Sequence, residues 1–424
     1  MLIPHQIQLL LSLSRFDSTP YSSSDSGEVS KIKPEEWEEL ANLSRTLGIG
    51  SYFFHCLKTK HLLKFLPENT AKSLHHIYLL TAAGNSNRYS EIQLLAKALN
   101  QEGIPIILLK GIHLAKWLYK NIAIREMCDI DILVPEKKAI RAFEIARSIG
   151  YEIVCEETAH LPTLKNRSTN VVLEIHHSLN GVYERTFFDE NELWKHSVLL
   201  DSESENVYGL ELEDLLIHLC IHLVYRHFLH VHGLKAFCDI VQITNNRENS
   251  FSWEKFLQRV REMGCERGVG LCLKLGKNLM GVKVPEHVEQ TLGMAMIPEA
   301  IYSSSLQQVF IPEKNLLRNF PRLVLVFLGF DSLRSRLKFL KKRFFPKKFI
   351  VSTDSLNNPE EKKYFEFLTN RIKIFYFTLL DCFRNASEMR KFASDFISFI
   401  RYLYKDCPKK AKVQSPPTSL EIKE

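Results

Sequence analysis

The stretch between Ile104 and Leu179 constrains this chain most, because its hydrophobic period changes several times within a short length. IPIILLKG is a short apolar run closed by Lys110 and Gly111, the pattern of a strand buried on both faces. IHLAKWLYK follows with helical spacing. REMCDIDILVP then alternates Asp129 and Asp131 with Ile130 and Ile132, and Pro135 stops it. EKKAIRAFEIARSIGYE reads as an amphipathic helix ending at Gly150, and NVVLEIHHSL as a further alternating strand. Strand, helix, strand, helix, strand in this order predicts a compact unit with a mixed sheet.

Helical patterns flank that unit. PEEWEELANLSRTLGIGSYFFHCLK carries acidic residues in its first turn, and a second pattern runs from Asn69 to Asn100, ended by Gly103. The opening segment reads as a short amphipathic helix, and STPYSSSDSGEVSKIKP as a polar loop or mobile arm. From Glu211 onward ELEDLLIHLCIHLVYRHFLH, GLKAFCDIVQITNN and FSWEKFLQRVREMG are helical, with last helices between Glu360 and Tyr404. No internal repeat of fixed period is present. The expected fold class is α+β, mostly helical: an N-terminal helical region (1–95), a small mixed-sheet core (96–200), a C-terminal helical region (201–406) and a disordered tail (407–424).

Charge narrows the partners. The net charge is +7, yet residues 311–350 hold eleven Lys/Arg against two acidic residues, so the remainder is slightly acidic. That segment interleaves its cations with Phe and Leu (RSRLKFLKKRFFPKKF). Three readings compete: an ordinary helix with a solvated basic face, a membrane-surface or protein contact, and a nucleic-acid contact. The Phe/Leu content favours membrane or protein over nucleic acid. Nine scattered cysteines without a CxxC argue against a disulfide framework or structural zinc. With no secretory signal and no apolar run approaching the ~20 residues that span a bilayer, a cytoplasmic protein is expected, peripheral at the inner membrane face if the basic segment binds lipid.

The chemistry is expected at the acids. On a strand, Asp129 and Asp131 project from one side and Ile130 and Ile132 from the other. Two adjacent carboxylates in an apolar strand repel each other, and a hard divalent cation relieves the conflict. Glu174, in VVLEIHH, supplies a third acid on a neighbouring strand. Three carboxylates from two strands can hold two Mg²⁺ for an in-line displacement at phosphorus. The bland alternative pairs Glu174 with a lysine at a sheet edge. LLKGIHLA offers a phosphate-binding turn through Lys110 and the close approach that Gly111 permits. Arg125 either binds phosphate bidentately or pairs with the aspartates. His176 shares the face of Glu174, where it orients a carboxylate, serves as a base, or makes a structural hydrogen bond.

Together, LLKGIHLAKWLY, REMCDIDILV and VVLEIHHSL resemble the uncharacterised bacterial nucleotidyltransferase family of the polymerase-β-like nucleotidyltransferase superfamily. The resemblance is strong at 101–180 and looser through HLCIHLVYRH, LKAFCDI and RLKFLKKRFFPKKFI. It implies a Gly-containing turn at Gly111, two acids at Asp129 and Asp131, a third at Glu174, and corresponding family positions at Lys110, Arg125 and His176. It implies a Mg²⁺-dependent enzyme that transfers a nucleoside monophosphate from a nucleoside triphosphate to an acceptor, with surface-polysaccharide synthesis suggesting a sugar or lipid-linked sugar. The turn departs from the usual Gly-Gly or Gly-Ser, so Lys110 or backbone amides would replace the missing serine. Two alternatives are a silent nucleotide-binding sensor or scaffold and an RNA-directed, tRNA-modifying transferase. His218, His222 and Arg226 are candidate liners of the acceptor side. HLCIH lacks the glutamate of a zincin helix, which weighs against zinc there. Asp239 is expected in a helix-packing ion pair.

Overall fold

The computed structural model describes residues 4–15, 29–155, 161–180, 187–200, 206–229, 233–245, 251–310, 394–395 and 398–403. The basic segment 311–350, most of the helices expected at 360–404, the tail 407–424, His230, His232 and residues 18–28 of the Ser-rich stretch lie outside the described residues.

Helix α1 (His5–Ser14) is the expected amphipathic opening. The next helical pattern divides into α2 (Pro34–Thr46) and α3 (Gly50–Thr59). Gly48 at φ 69° breaks it, because left-handed backbone ends a helix and glycine adopts it without steric penalty. The long helix α4 (Glu68–Asn100) stops before Gly103, also left-handed at φ 60°. Strand β1 (Ile106–Leu108) follows, then a short helix α5 (Lys110–His113) that widens into a π-helical turn at Leu114–Leu118. Strand β2 (Asp129–Leu133), helix α6 (Ala139–Ser148) and strands β3 (Tyr151–Cys155), β4 (Thr163–Asn166) and β5 (Val172–His176) complete the first part of the sheet. Helix α7 (Glu190–His196) leads to two short strands, β6 (Val198–Leu199) and β7 (Val207–Gly209).

The seven strands are ordered β3-β4-β5-β2-β1-β7-β6. β2 runs parallel to β5 and antiparallel to β1, while β7 runs parallel to β1. The sheet is therefore mixed and larger than the three strands legible in sequence. The missed strands lie at its ends. β3 has four exposed residues and a register shift, and β6 is a two-residue exposed edge. Neither has the buried alternation that marks a strand in sequence.

Each sheet face carries its own core. Behind the sheet, Ile130, Ile132, Leu173 and Ile175 pack with Leu95 and Leu99 of α4 and Phe143 of α6. In front, Ile107, Leu109 and Leu133 join a larger cluster with the C-terminal helices. Burying each isoleucine contributes roughly 1.5–3 kcal/mol. A one-residue slip of β2 would lose that contribution and push the aspartates into the apolar back face, so register is strongly specified.

The front helices are α8 (Leu212–Ile221), which continues into a second π-helical turn at His222–Arg226, then α9 (Gly233–Asn245), α10 (Trp253–Met263), α11 (Glu266–Met280), α12 (Glu286–Thr291) and α13 (Glu299–Val309). The fold is α+β and mostly helical, with the mixed sheet held between helices. Among the described residues, no helix is long and apolar enough to cross a membrane.

Candidate active site

In the parallel pairing of β2 with β5, Asp131 stands opposite Glu174, Asp129 opposite Val172, and Leu133 opposite His176. Partnered positions share a face, so Asp129, Asp131, Glu174 and His176 all point to the front. Asp131 is almost fully buried. Its Oδ1 lies 2.9 Å from His176 Nε2 and accepts a hydrogen bond of 2.9 Å from Lys110 Nζ. His176 Nε2 is also 3.8 Å from Glu174 Oε2. Asp129 sits one pleat along the strand, half-buried.

Electrostatics divides the two aspartates. Burial and the neighbouring charge of Asp131 raise the Asp129 carboxyl above the ordinary carboxylate range, and Lys110 offsets this only partly. Burial acts in the same direction on Asp131. There Lys110 and His176 outweigh it and hold the carboxyl well below that range. The charged form is thus favoured at Asp131 and disfavoured at Asp129, which has no ion pair among the described residues.

The donor set suits a metal ion. Asp131, Glu174 and His176 each offer a ligand atom, all within 4.8 Å of one another. The raised Asp129 carboxyl beside them is what a site short of positive charge produces. A second group, His196, Glu211 and Asp214, meets the same distance criterion and could also bind an ion. Its carboxylates already have cations: Arg259 pairs with Glu211 at 2.5 Å and Asp214 at 2.9 Å, and Lys255 pairs with Glu211. The first group is the better candidate.

The turn entering α5 adds a backbone feature to the close approach expected of Gly111. Lys110, not Gly111, takes the left-handed conformation, at φ 44°. A lysine carries a Cβ penalty there, and such strain concentrates at functional sites. Gly111 serves close approach: a Cβ at this position would lie 3.1 Å from Met127 Cβ and 3.3 Å from Arg125 Nη1. Arg125 is turned away from Asp129 and Asp131 and clamped by Asp239 of α9, with Nε–Oδ1 at 3.0 Å and Nη2–Oδ2 at 2.8 Å. Tyr119 Oη donates to the same Asp239 at 2.9 Å. From behind, Asn85 of α4 donates to the carbonyls of Ile122 and Arg125 at 2.6 and 2.8 Å, and Arg88 donates to that of Cys128 at 3.3 Å. Asn85 left no legible signal in the sequence, being one polar residue in a long helix.

Helices α8 and α9 roof the front face. His218 and His222 lie within electrostatic reach of Lys110 and Arg226, and His218 also of Asp131 and His176. Burial pushes both imidazoles well below the usual histidine range, with Lys110 and other nearby cations adding to the effect. His222 and His227 approach at 3.2 Å between their Nε2 atoms. Lys235 of α9 was missed in sequence. Burial, then Arg125, lowers its ammonium to about 8, while Asp239 acts in the other direction. Conversely, Lys235 is among the cations that temper the raised Asp129 carboxyl. The signal was available: Lys235 and Asp239 are four apart in LKAFCDI and share a helix face.

The mixed sheet thus presents two acids two residues apart, a third acid in register beside them, and Lys110 on the entering turn. The chain belongs to the family of uncharacterised nucleotidyltransferases, whose family model matches residues 33–281. The match covers the sheet, the turn at Lys110, the three acids, and helices α8 and α9. No match was found among curated proteins or among solved structures.

Proposed function

We propose that the chain is a Mg²⁺-dependent nucleotidyltransferase of the polymerase-β-like kind, moving a nucleoside monophosphate from a nucleoside triphosphate to an acceptor oxygen with loss of pyrophosphate. The register of Asp131 with Glu174, beside Asp129 on the same face, carries this reading together with family membership. Asp129, Asp131 and Glu174 would hold the metal. When bound, Mg²⁺ supplies charge neutralisation and Lewis-acid activation at the transferred phosphorus.

The protein's own groups have distinct tasks in this reading. Lys110 and His176 fix the direction of the Asp131 carboxylate through hydrogen bonds to one oxygen, so His176 acts as a positioning residue. Lys235 and Lys110, which both act on Asp129, offer positive charge to the phosphates. Arg125 shapes the Gly111 turn while Asp239 holds it. The acceptor enters beneath α8 and α9, and a sugar or lipid-linked sugar is the chemistry the family resemblance suggests. The cytoplasm, where nucleoside triphosphates are abundant, is the compartment that fits this reaction.

One observation favours a second reading, a silent nucleotide sensor: Lys110 and Arg125 are already engaged by Asp131 and Asp239. Thermal melting of the wild type and of Asp129→Ala/Asp131→Ala, with Mg²⁺ and each nucleoside triphosphate, tests the transferase. Metal-dependent stabilisation by a nucleotide, absent in the double variant and accompanied by pyrophosphate release, supports it. Binding without pyrophosphate release across acceptors points to the sensor, and no response in the wild type sinks both.

A further inference from the structure

The roof over the acids contains buried side-chain nitrogens without protein partners. His218 is 2% exposed, and its Nε2 is buried with no hydrogen-bond partner. Two turns further along the same helical run, Nη2 of Arg226 is likewise buried and unpartnered. Among the described residues Arg226 forms no ion pair, although Arg125 and Arg259 each have carboxylate partners. Leaving a guanidinium nitrogen dry and unpaired costs the desolvation of a charged group, so such atoms are kept where a ligand completes them. His222 lies between them, its ring centroid 5.8 Å from that of His218.

The local chain geometry fits this role. The helix loosens into its π-helical turn at His222–Arg226, where the extra residue per turn re-aims the side chains. The potential in this part of the roof is positive, since Lys110 and Arg226 both act on the two imidazoles. Asp131 and His176 of the sheet lie within electrostatic reach of His218 as well. A ligand completing His218 and Arg226 must therefore be anionic and carry several acceptor oxygens, and it would lie within electrostatic reach of Lys110.

Resting on the transferase reading, we infer that His218 and Arg226 form a second anion site that binds a phosphoryl group beside the metal-binding acids. The group has two chemical sources: the terminal phosphate of the nucleotide, or a phosphate carried by the acceptor. A guanidinium within electrostatic reach of an imidazole on the same helical run suits either, the guanidinium through charge-assisted hydrogen bonds.

Calorimetric titration of the full chain with inorganic phosphate, with and without a non-hydrolysable nucleoside triphosphate analogue and Mg²⁺, tests this. Phosphate should bind the wild type, weaken by about tenfold or more in Arg226→Gln and in His218→Phe, and recover in Arg226→Lys, the scale of one charge-assisted hydrogen bond. If the acceptor carries the phosphate, phosphate and analogue bind together, and Arg226→Gln leaves the analogue's affinity unchanged. If the nucleotide supplies it, the analogue displaces phosphate, and Arg226→Gln weakens the triphosphate but not the monophosphate. Folded variants that bind phosphate and analogue like the wild type overturn the site. Should the variants not fold, a wild type that phosphate fails to stabilise beyond chloride at equal ionic strength overturns it equally. Arg226-dependent phosphate binding without any Mg²⁺-nucleotide binding would leave this site standing and remove the transferase reading instead.

Discussion

Arg125 and Asp239, 114 residues apart, face each other in a two-pronged ion pair with side chains only 10% and 0% exposed. This contact ties the loop before β2 to helix α9, and so joins the acid-bearing sheet to the roof that carries Lys235.

Truncating one partner of such a pair strands the other charge, at a cost of about 3–5 kcal/mol. Asp239→Ala should lose stability on that scale in urea unfolding. Combining it with Arg125→Met should cost less than the two single changes together. A loss below about 1 kcal/mol in the single variant would show the pair to be solvated, as surface pairs are.

Gly111→Ala sets a methyl 3.1 Å from Met127 Cβ and 3.3 Å from Arg125 Nη1. The strain should cost about 1–3 kcal/mol, and the displaced turn should raise KM for the nucleotide. Steady-state kinetics beside a melting curve separates the two effects. Unchanged KM in a destabilised variant would take the turn out of nucleotide binding.

Burial and the charge of Asp131 both disfavour the ionised Asp129 carboxylate, so its negative charge works against the metal-free fold. Asp129→Asn should therefore melt at a higher temperature than the wild type in chelator. Mg²⁺ should reverse the order, since a ligand at a hundred times its Kd stabilises by about 2.7 kcal/mol and the variant loses that gain. A lower melting temperature for Asp129→Asn in chelator would contradict the assigned repulsion.

Asp131 has the opposite sign. Its folded-state carboxyl is held low by Lys110 and His176 against the effect of burial. It therefore contributes stability that is present above the unfolded carboxylate range of about 4 and is lost as pH falls toward the depressed value. Lys110→Met removes one of the two groups that hold it low, so acid unfolding should begin at higher pH than in the wild type. Coincident acid transitions would mean that His176 alone suffices.

Lys235 titrates near pH 8 because burial and Arg125 disfavour its charge. If it holds phosphate, KM for the nucleotide should climb as pH rises through about 8, while Lys235→Arg should flatten that limb because arginine keeps its proton. An identical alkaline profile in the variant would exclude Lys235 from nucleotide binding.

The alternation of Asp129 and Asp131 with Ile130 and Ile132 was enough to predict a strand with acids on one side, because the period of a strand is a local property. The same holds for the apolar run before Lys110, for Gly103 and for the amphipathic helix before Gly150. Local pattern could not say that Glu174 would face Asp131 rather than another residue of β2, nor that Arg125 would turn from these acids to Asp239. Those outcomes depend on the register of strands 43 residues apart and on where α9 docks. The strained Lys110 and the edge strands β3 and β6 were hidden for the same reason. Backbone period and turn chemistry are written along the chain, whereas a charge takes its partner, and thereby its protonation, from whatever the tertiary packing brings within a few ångströms.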